Sequence, residues 1–571
     1  MVTFPQNIRR AVPQIRWKEV LDLTAPVLPG FTPWPPEQAQ RYREQNLWAG
    51  ETFGDLLAAR AAATPDRIAV VDAANRWTYA ELAHRAGALA TGLARLGLTP
   101  GDRVLVQLPN RAEFVEVIFA LFELGALPVF CLPAHRGAEL VPIARAARAR
   151  AMITCATHQR FDYAALAESV RAEVPSLRHV LLVCDETGPV RGEGVHDLAD
   201  FRDTPTELPR VSASSVAFLQ LSGGSTGIPK LIARTHDDYL YSVRRSAEIC
   251  ELDSDTVYLA TLPVAHNFPM SSPGILGALW AGGTVAMTPD PTPATAFPLI
   301  ERFGVTITGL VPPLARLWTE RAEAGDTPDL SSLRVLQVGG ARCQEELARR
   351  IGPALGVTLQ QVFGMAEGLV CYTRLDDPIE VVVSTQGRPM SEFDRIAVVD
   401  DDGAEVAPGA QGNLITQGPY TIRGYYDNPE ADARSFTAEG WYRTGDIVSV
   451  RPDGNLVVAG RAGDWVNRGG EKVSAEELEA HLLEHPDVRE AVIVGTPDPV
   501  LGQRICAFVQ PVDPARRLTL TSVRSFVRGR GVAAWKMPDA VVVVDRFPET
   551  GVGKTSRKEL RRLLADGAHG N

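Results

Sequence analysis

The sequence lacks any uninterrupted apolar run of the ~18 residues that a membrane-spanning helix requires. Its most apolar stretch, residues 114–127, is broken by Glu116 and Glu123. It also lacks an excess of positive charge: 58 Lys and Arg face 69 Asp and Glu, a formal net charge of −11. That balance argues against a nucleic-acid binder relying on bulk attraction to phosphate. The seven cysteines (Cys131, Cys155, Cys184, Cys250, Cys343, Cys371 and Cys506) are scattered and form no Cys-x-x-Cys pair. Neither a disulfide framework nor a structural zinc site is therefore expected. Residues 1–17 carry three arginines and no apolar core, unlike a secretory signal. There is no solenoid-type repeat and no low-complexity tract. These absences predict a soluble cytoplasmic protein with no membrane and no nucleic-acid partner.

The chain does contain ample apolar material: 45% of its 571 residues are hydrophobic and 22% charged, enough for more than one core. Apolar spacing of three and four predicts helices over 53–63, 79–96 and 111–124. Thr78 followed by Glu81 has the form of a capping box at the start of the second. Short β-branched runs predict strands over 67–71, 103–108, 151–154, 179–184 and 216–221. Such alternation implies parallel sheets covered by helices. After about Asn413, glycine-bearing turns such as Pro452-Asp453-Gly454-Asn455 separate strands, which predicts a β-rich subdomain. Beyond Asp464 come a helix over 474–483 and strands over 491–494 and 540–544. The predicted fold is α/β: a large N-terminal domain over 1–463 with helix-covered mixed and parallel sheets and a β-rich subdomain at about 380–463, then a small mobile α+β domain over 464–571.

The strand over 216–221 runs into Ser222-Gly223-Gly224-Ser225-Thr226-Gly227-Ile228-Pro229-Lys230. Glycines let backbone N–H groups approach a phosphate, hydroxyls add donors, and the lysine adds charge. It is not a Walker A loop, because Ile228-Pro229 separates Gly227 from Lys230. The segment resembles the phosphate loop of the adenylate-forming enzymes, the superfamily of acyl-CoA synthetases, peptide-synthetase adenylation domains and luciferases.

The resemblance recurs in the superfamily's order. Phe363-Gly364-Met365-Ala366-Glu367 is similar to its aromatic-Gly-x-x-Glu motif, Tyr442-Arg443-Thr444-Gly445-Asp446 to its ribose motif, and Gly460-Arg461-Ala462-Gly463-Asp464 to its hinge motif. Pro548-Glu549-Thr550-Gly551-Val552-Gly553-Lys554 is similar to its C-terminal lysine motif. Five motifs in order over about 330 residues carry far more weight than one glycine loop. The resemblance implies ATP and Mg²⁺: Glu367 holding the metal, Asp446 gripping the ribose hydroxyls, Arg461 contacting the nucleotide, Asp464 as interdomain pivot, and Lys554 bridging the reacting carboxylate and α-phosphate.

Ala265-His266-Asn267-Phe268-Pro269 resembles the aryl-acid branch of the superfamily, the ligases that open siderophore assembly, and Gln337-Val338-Gly339-Gly340-Ala341 fits that branch's adenine-side strand and turn. The resemblance places Gly340, Ala341 and Val362 at the nucleotide, and Asn267, Phe268, Ser272, Gly339, Gly364 and Val370 at the acid, with His266 beside Lys554 and Glu367 in catalysis. Where amino-acid-activating relatives carry an aspartate for an ammonium, Asn267 offers a neutral amide suited to a phenol hydroxyl. Phe268 and Val370 are expected to sandwich a flat ring. Cys371 departs from that branch's pattern, which leaves salicylate, 2,3-dihydroxybenzoate and a substituted relative open. The implied acceptor is the phosphopantetheine thiol of an aryl carrier protein. No Asp-Ser-Leu-type attachment site occurs in the chain, so the carrier is expected to act in trans. In that step the Gly469-Gly470-Glu471-Lys472 loop is expected to replace Lys554 at the site. Free coenzyme A as acceptor, an aryl-CoA ligase, is the alternative; a silent nucleotide-binding scaffold is a second.

Overall fold

The computed structural model describes residues 28–184, 192–222, 229–325, 327–340, 342–343, 345–461, 465–513, 516–548 and 557–565. Gly223, Gly224, Ser225, Thr226, Gly227, Ala341, Asp464 and Lys554 lie outside these, as does the side chain of Arg461.

Two large sheets form the body. A nine-stranded sheet has a parallel centre, in which the strands Ile68–Val71, Thr284–Met287, Val257–Ala260, Ile307–Leu310, Val335–Gly339 and Thr358–Gly364 pair in that order. Short antiparallel strands close its edges. The second sheet has seven strands, parallel except for the pair Val216–Ser222 and Lys230–Thr235. Between the sheets runs the helix Ala112–Leu124, buried on nearly every side, as an all-round apolar helix must be. Its Glu116, fully buried, is held by Arg202 at 2.6 and 2.9 Å and by Arg85 at 3.2 Å. This carboxylate, which interrupts the apolar run, is therefore paired rather than solvated.

The capping box is present: the Thr78 hydroxyl accepts from Glu81 N at 3.2 Å, and the Glu81 carboxylate from Thr78 N at 2.8 Å. The helix it starts spans Tyr79–Arg95. A four-stranded antiparallel sheet follows, built from Arg395–Val399, Gly412–Gln417, Tyr442–Val450 and Leu456–Arg461. It starts at Arg395 because Arg388–Pro389 still pairs with Val370–Tyr372 in the nine-stranded sheet. The C-terminal unit is a five-stranded sheet of Trp465–Arg468, Glu471–Ser474, Val488–Asp498, Gly502–Pro511 and Ala540–Val543, with the helices Ala475–Leu483, Leu520–Gly529 and Arg557–Ala565. Among the described residues, no helix is long and apolar enough to cross a membrane.

Candidate active site

The glycine-rich loop is held at its two ends by sheet register. Ser222 and Lys230, which flank the loop, are paired across an antiparallel ladder. Ser222 faces a cavity of about 490 Å³, within the range of small-molecule sites. The same cavity is lined by His266, Asn267, Phe268, Ser272, Gly340, Val362, Gly364, Glu367 and Asp446. Residues from motifs more than two hundred positions apart thus meet in one space.

At one end an amide and an aromatic ring, those of Asn267 and Phe268, line the cavity. His266 caps the short helix Asn267–Ser271. Asn267 Oδ1 accepts from the Tyr239 hydroxyl at 2.7 Å, and that hydroxyl accepts from Ser271 Oγ at 2.8 Å. The Gln220 amide, turned so that its oxygen accepts from Asn267 N and its nitrogen donates to Ala265 O, both at 3.2 Å, fixes the backbone there. Burial pushes the Tyr239 phenol upward, so it stays a donor. With its carbonyl oriented by Tyr239, Asn267 keeps both N–H donors for a ligand.

The Phe268 ring lies against two glycines. A Cβ at Gly339 would come 3.1 Å from Phe268 Cζ, and one at Gly309 3.2 Å from the same atom. Val370 stands behind Gly364, where a Cβ would meet its methyls at 3.2 Å; it is not on the cavity wall. Cys371 points away from the site. In an extended strand alternate side chains face opposite ways. Val370 and Tyr372 pack into the core under the cavity, whereas Cys371 packs with Met365, Leu369 and Leu414 against the antiparallel sheet. Cys371 itself is not on the cavity wall.

The other end is acidic and hydroxyl-rich. Glu367 is 4% exposed, and its Oε1 accepts from the Tyr425 hydroxyl at 2.9 Å. Lys230 Nζ donates to that hydroxyl at 2.8 Å and sits 4.0 Å from the ring centre. Tyr442 stands 3.2 Å from it, hydroxyl to hydroxyl. Burial, then the Glu367 carboxylate, drives the Tyr425 phenol well above its ordinary range, so it holds its proton and bridges lysine and carboxylate. The backbone before Glu367 is bolted down by Arg234, 1% exposed, which donates to Ala366 O at 2.7 Å, Tyr420 O at 3.0 Å and Asp238 Oδ1 at 2.7 Å. A buried carboxylate facing a cavity is a hard oxygen ligand that suits Mg²⁺, which commonly takes one or two carboxylates plus substrate phosphates. Among the described residues, no group of three or more His, Cys, Asp or Glu could hold a metal by itself. Asp446 is 5% exposed, lies opposite Arg461 in the ladder, and donates its backbone N–H to Thr444 Oγ1 at 3.0 Å.

The C-terminal unit completes the cavity. Asn467, Gly470, Glu471, Gln503, Trp535 and Lys536 line it. Gly470 approaches so closely that a Cβ there would lie 2.5 Å from Val311 Cγ1; its φ of +88° is also one that glycine alone adopts readily. His135 lines the cavity too, and burial, then Lys536, lowers its ring to about 3. It is neutral at physiological pH, and its Nδ1 accepts from Leu132 N at 3.1 Å. Sequence reasoning missed Tyr239, Gln220, Tyr425, Arg234 and His135. Spacing signalled none of them; even Arg234 and Asp238, four residues apart, lie in a strand and in the helix after it.

Comparison with known proteins agrees with this geometry. A family model described as AMP-binding enzyme matches residues 57–426, and one described as AMP-binding enzyme C-terminal domain matches residues 477–554. The chain is 55% identical over 540 residues to the 2,3-dihydroxybenzoate-AMP ligase of Bacillus subtilis (strain 168), covering 95% of this chain and 98% of that one. It is 48% identical over 541 residues to a Streptomyces sp protein named salicylyl-CoA synthase / salicylate adenylyltransferase, covering 94% and 98%. Among solved structures it is similar to the Mycobacterium smegmatis MbtA apo structure, with a TM-score of 0.71 and 46% identity, covering 93% of this chain and 98% of that one.

Proposed function

The chain belongs to the AMP-binding enzyme family and is a ligase of the adenylate-forming kind; from that premise we propose that it activates a 2-hydroxybenzoic acid and passes the aryl group to a phosphopantetheine thiol. The observation that carries this reading is the Tyr239-fixed amide of Asn267, which lines the same cavity as the Phe268 ring. It presents a neutral donor to an ortho hydroxyl and no carboxylate to an ammonium. In the first half-reaction, a carboxylate oxygen attacks the α-phosphorus of ATP, a P–O bond forms, and pyrophosphate leaves. Ser222, Gly223, Gly224, Ser225, Thr226, Gly227 and Lys230 cradle the phosphates, Gly340, Ala341 and Val362 border the adenine, and Asp446 with Arg461 hold the ribose side. Glu367 would hold Mg²⁺, which supplies charge neutralisation at the phosphates. Lys554 bridges carboxylate and α-phosphate, and His266 borders the reacting carboxylate.

In the second half-reaction the thiol sulfur attacks the aryl carbonyl, the C–S bond forms, and AMP leaves with the bridging oxygen. We assign Asp464 as the pivot of the movement between the two steps. The presence of Gly470 and Glu471 on the cavity wall supports the thiol-transfer arrangement. The acceptor is the thiol of an aryl carrier protein acting in trans, in siderophore assembly or related peptide synthesis. The name of the Streptomyces relative, salicylyl-CoA synthase / salicylate adenylyltransferase, favours free coenzyme A as a second reading. Acid-dependent ATP–pyrophosphate exchange over salicylate, 2,3-dihydroxybenzoate, benzoate, amino acids and fatty acids tests the first step. Exchange confined to the ortho-hydroxy acids is expected; exchange with amino or fatty acids would overturn the acid assignment. Thioester formation with a phosphopantetheinylated aryl carrier domain against coenzyme A then identifies the acceptor.

A further inference from the structure

The contact between the body and the C-terminal unit contains a buried charge cluster outside the motifs. The segment 529–536 lies on the start of the helix Gly137–Ala147: a Cβ at Gly531 would come 3.7 Å from Ala138 N and 3.9 Å from Gly137 N. Ala533 N donates to Glu139 Oε1 at 3.2 Å, and Lys536 Nζ stands 3.4 Å from the same oxygen. Lys536 Nζ also meets both oxygens of Glu477, at 2.6 and 2.8 Å. Glu139 Oε2 accepts from Arg136 N at 2.9 Å. The side chains are 8% exposed for Lys536, 1% for Glu139 and 13% for Glu477. Beside them the rings of His135 and Trp535 lie 5.9 Å apart across the same interface.

The partners divide unequally between the two parts. Lys536 and Glu477 belong to the C-terminal unit and travel together, whereas Glu139 belongs to the body. When the unit turns away, Lys536 keeps Glu477, and Glu139 exchanges the Ala533 N–H and the ammonium for water. A buried pair of this kind adds little net stability, but an offset of a few ångströms leaves a buried charge uncompensated. Such a contact accepts one orientation and rejects its neighbours.

We propose that Glu139 is the docking point that holds the C-terminal unit in the thiol-transfer arrangement, so that it governs how readily the aryl adenylate is handed on and not how fast it forms. Glu139 is a positioning residue: it does not line the cavity. The inference rests on the two-step reading above.

The test compares the full-length chain with Glu139→Gln, Lys536→Met and the double variant. With salicylate and ATP, Glu139→Gln should exchange pyrophosphate within about twofold of the unaltered chain, because Gln keeps the acceptor for Arg136 N. Single-turnover transfer to a phosphopantetheinylated aryl carrier domain, or to coenzyme A if that is the acceptor, should fall roughly tenfold or more, the usual size of a coupling between sites. The double variant should transfer no worse than the poorer single variant. Unchanged transfer, or equal losses in both half-reactions, overturns the proposal. Hydrogen exchange at residues 531–538 gives a second readout that needs no acceptor. Glu139→Gln should speed exchange of the Ala533 amide while the sheet of the C-terminal unit stays protected; unchanged protection also overturns the proposal. If the unaltered chain exchanges pyrophosphate with no acid, the functional reading fails, and the Ala533 amide still decides the docking question.

Discussion

Replacing Tyr239 by phenylalanine removes one oxygen and leaves the ring in its packing against Phe53 and Phe218. It deletes two hydrogen bonds, from Ser271 Oγ at 2.8 Å and to Asn267 Oδ1 at 2.7 Å. Tyr239 is 1% exposed, so water does not simply take the place of the hydroxyl. Leaving a buried donor or acceptor unpaired costs about 1–3 kcal/mol. The stability loss should fall in that range, read as a lower denaturant midpoint at unchanged slope. The effect on activity is more diagnostic. Without Tyr239 nothing sets which way the Asn267 amide points, and its oxygen can turn toward the ligand, where it repels the ortho oxygen. The kcat/KM for salicylate in pyrophosphate exchange should fall roughly five- to a hundredfold, which is the same 1–3 kcal/mol expressed as rate. Benzoate has no ortho oxygen, so its much lower activity should change by less than about threefold, a few tenths of a kcal/mol. An equal loss for both acids would refute the relay and leave only a packing role for Tyr239.

Arg234→Met strips the buried partner from Asp238 and the anchor from Ala366; it should cost about 3–5 kcal/mol in chemical unfolding, and a cost under about 1 kcal/mol would show that the network is slack. Gly339→Ala puts a Cβ 2.9 Å from Val362 O and 3.1 Å from Phe268 Cζ, so the KM for the aryl acid should rise about tenfold, the overpacking cost of 1–3 kcal/mol; an unchanged KM would show that Phe268 yields to the methyl. Glu367→Gln should lower exchange by about a hundredfold, the size of losing one charge-stabilising group, and raise the Mg²⁺ concentration needed for half-maximal rate; an unchanged Mg²⁺ dependence would contradict its role. Asp394 is raised to about 7 by burial, against the opposing hydrogen bond from Tyr420. Its folded form binds a proton that the unfolded form has lost, so its contribution is greatest below about pH 4 and disappears as pH rises toward 7, a change of up to about 4 kcal/mol at 1.36 per unit. Asp394→Asn should flatten that part of the stability–pH curve, and identical slopes in both proteins would disprove the assignment.

The first part of the alternation was legible where a parallel strand is a short apolar run such as Val180 to Val183, buried on both faces; strands carrying polar residues, such as Thr358–Gly364, were not. The motif residues Ser222, Glu367 and Asp446 were legible because their chemistry is local: each stands in a segment that identifies it. The relays that position them were not. Tyr239 acts on Asn267 across 28 residues, Arg234 on Ala366 across 132, and Lys536 on Glu139 across 397. No periodicity connects such pairs; only the closed fold brings them together. Cys371 illustrates the converse. The two-residue repeat of a strand already implied that it and Val370 face opposite ways, but which face meets the cavity depends on the antiparallel sheet that covers the other side.

The central claim concerns which bond to oxygen is made and broken, and oxygen isotopes test it most directly. Salicylate labelled with ¹⁸O in its carboxyl group would be turned over with ATP, Mg²⁺ and a phosphopantetheinylated aryl carrier domain or coenzyme A, and the AMP and pyrophosphate analysed by mass spectrometry. Carboxylate attack on the α-phosphorus followed by thiol attack on the carbonyl puts one ¹⁸O in each AMP and none in pyrophosphate. Unlabelled AMP formed alongside the thioester, or label in pyrophosphate, would contradict the account.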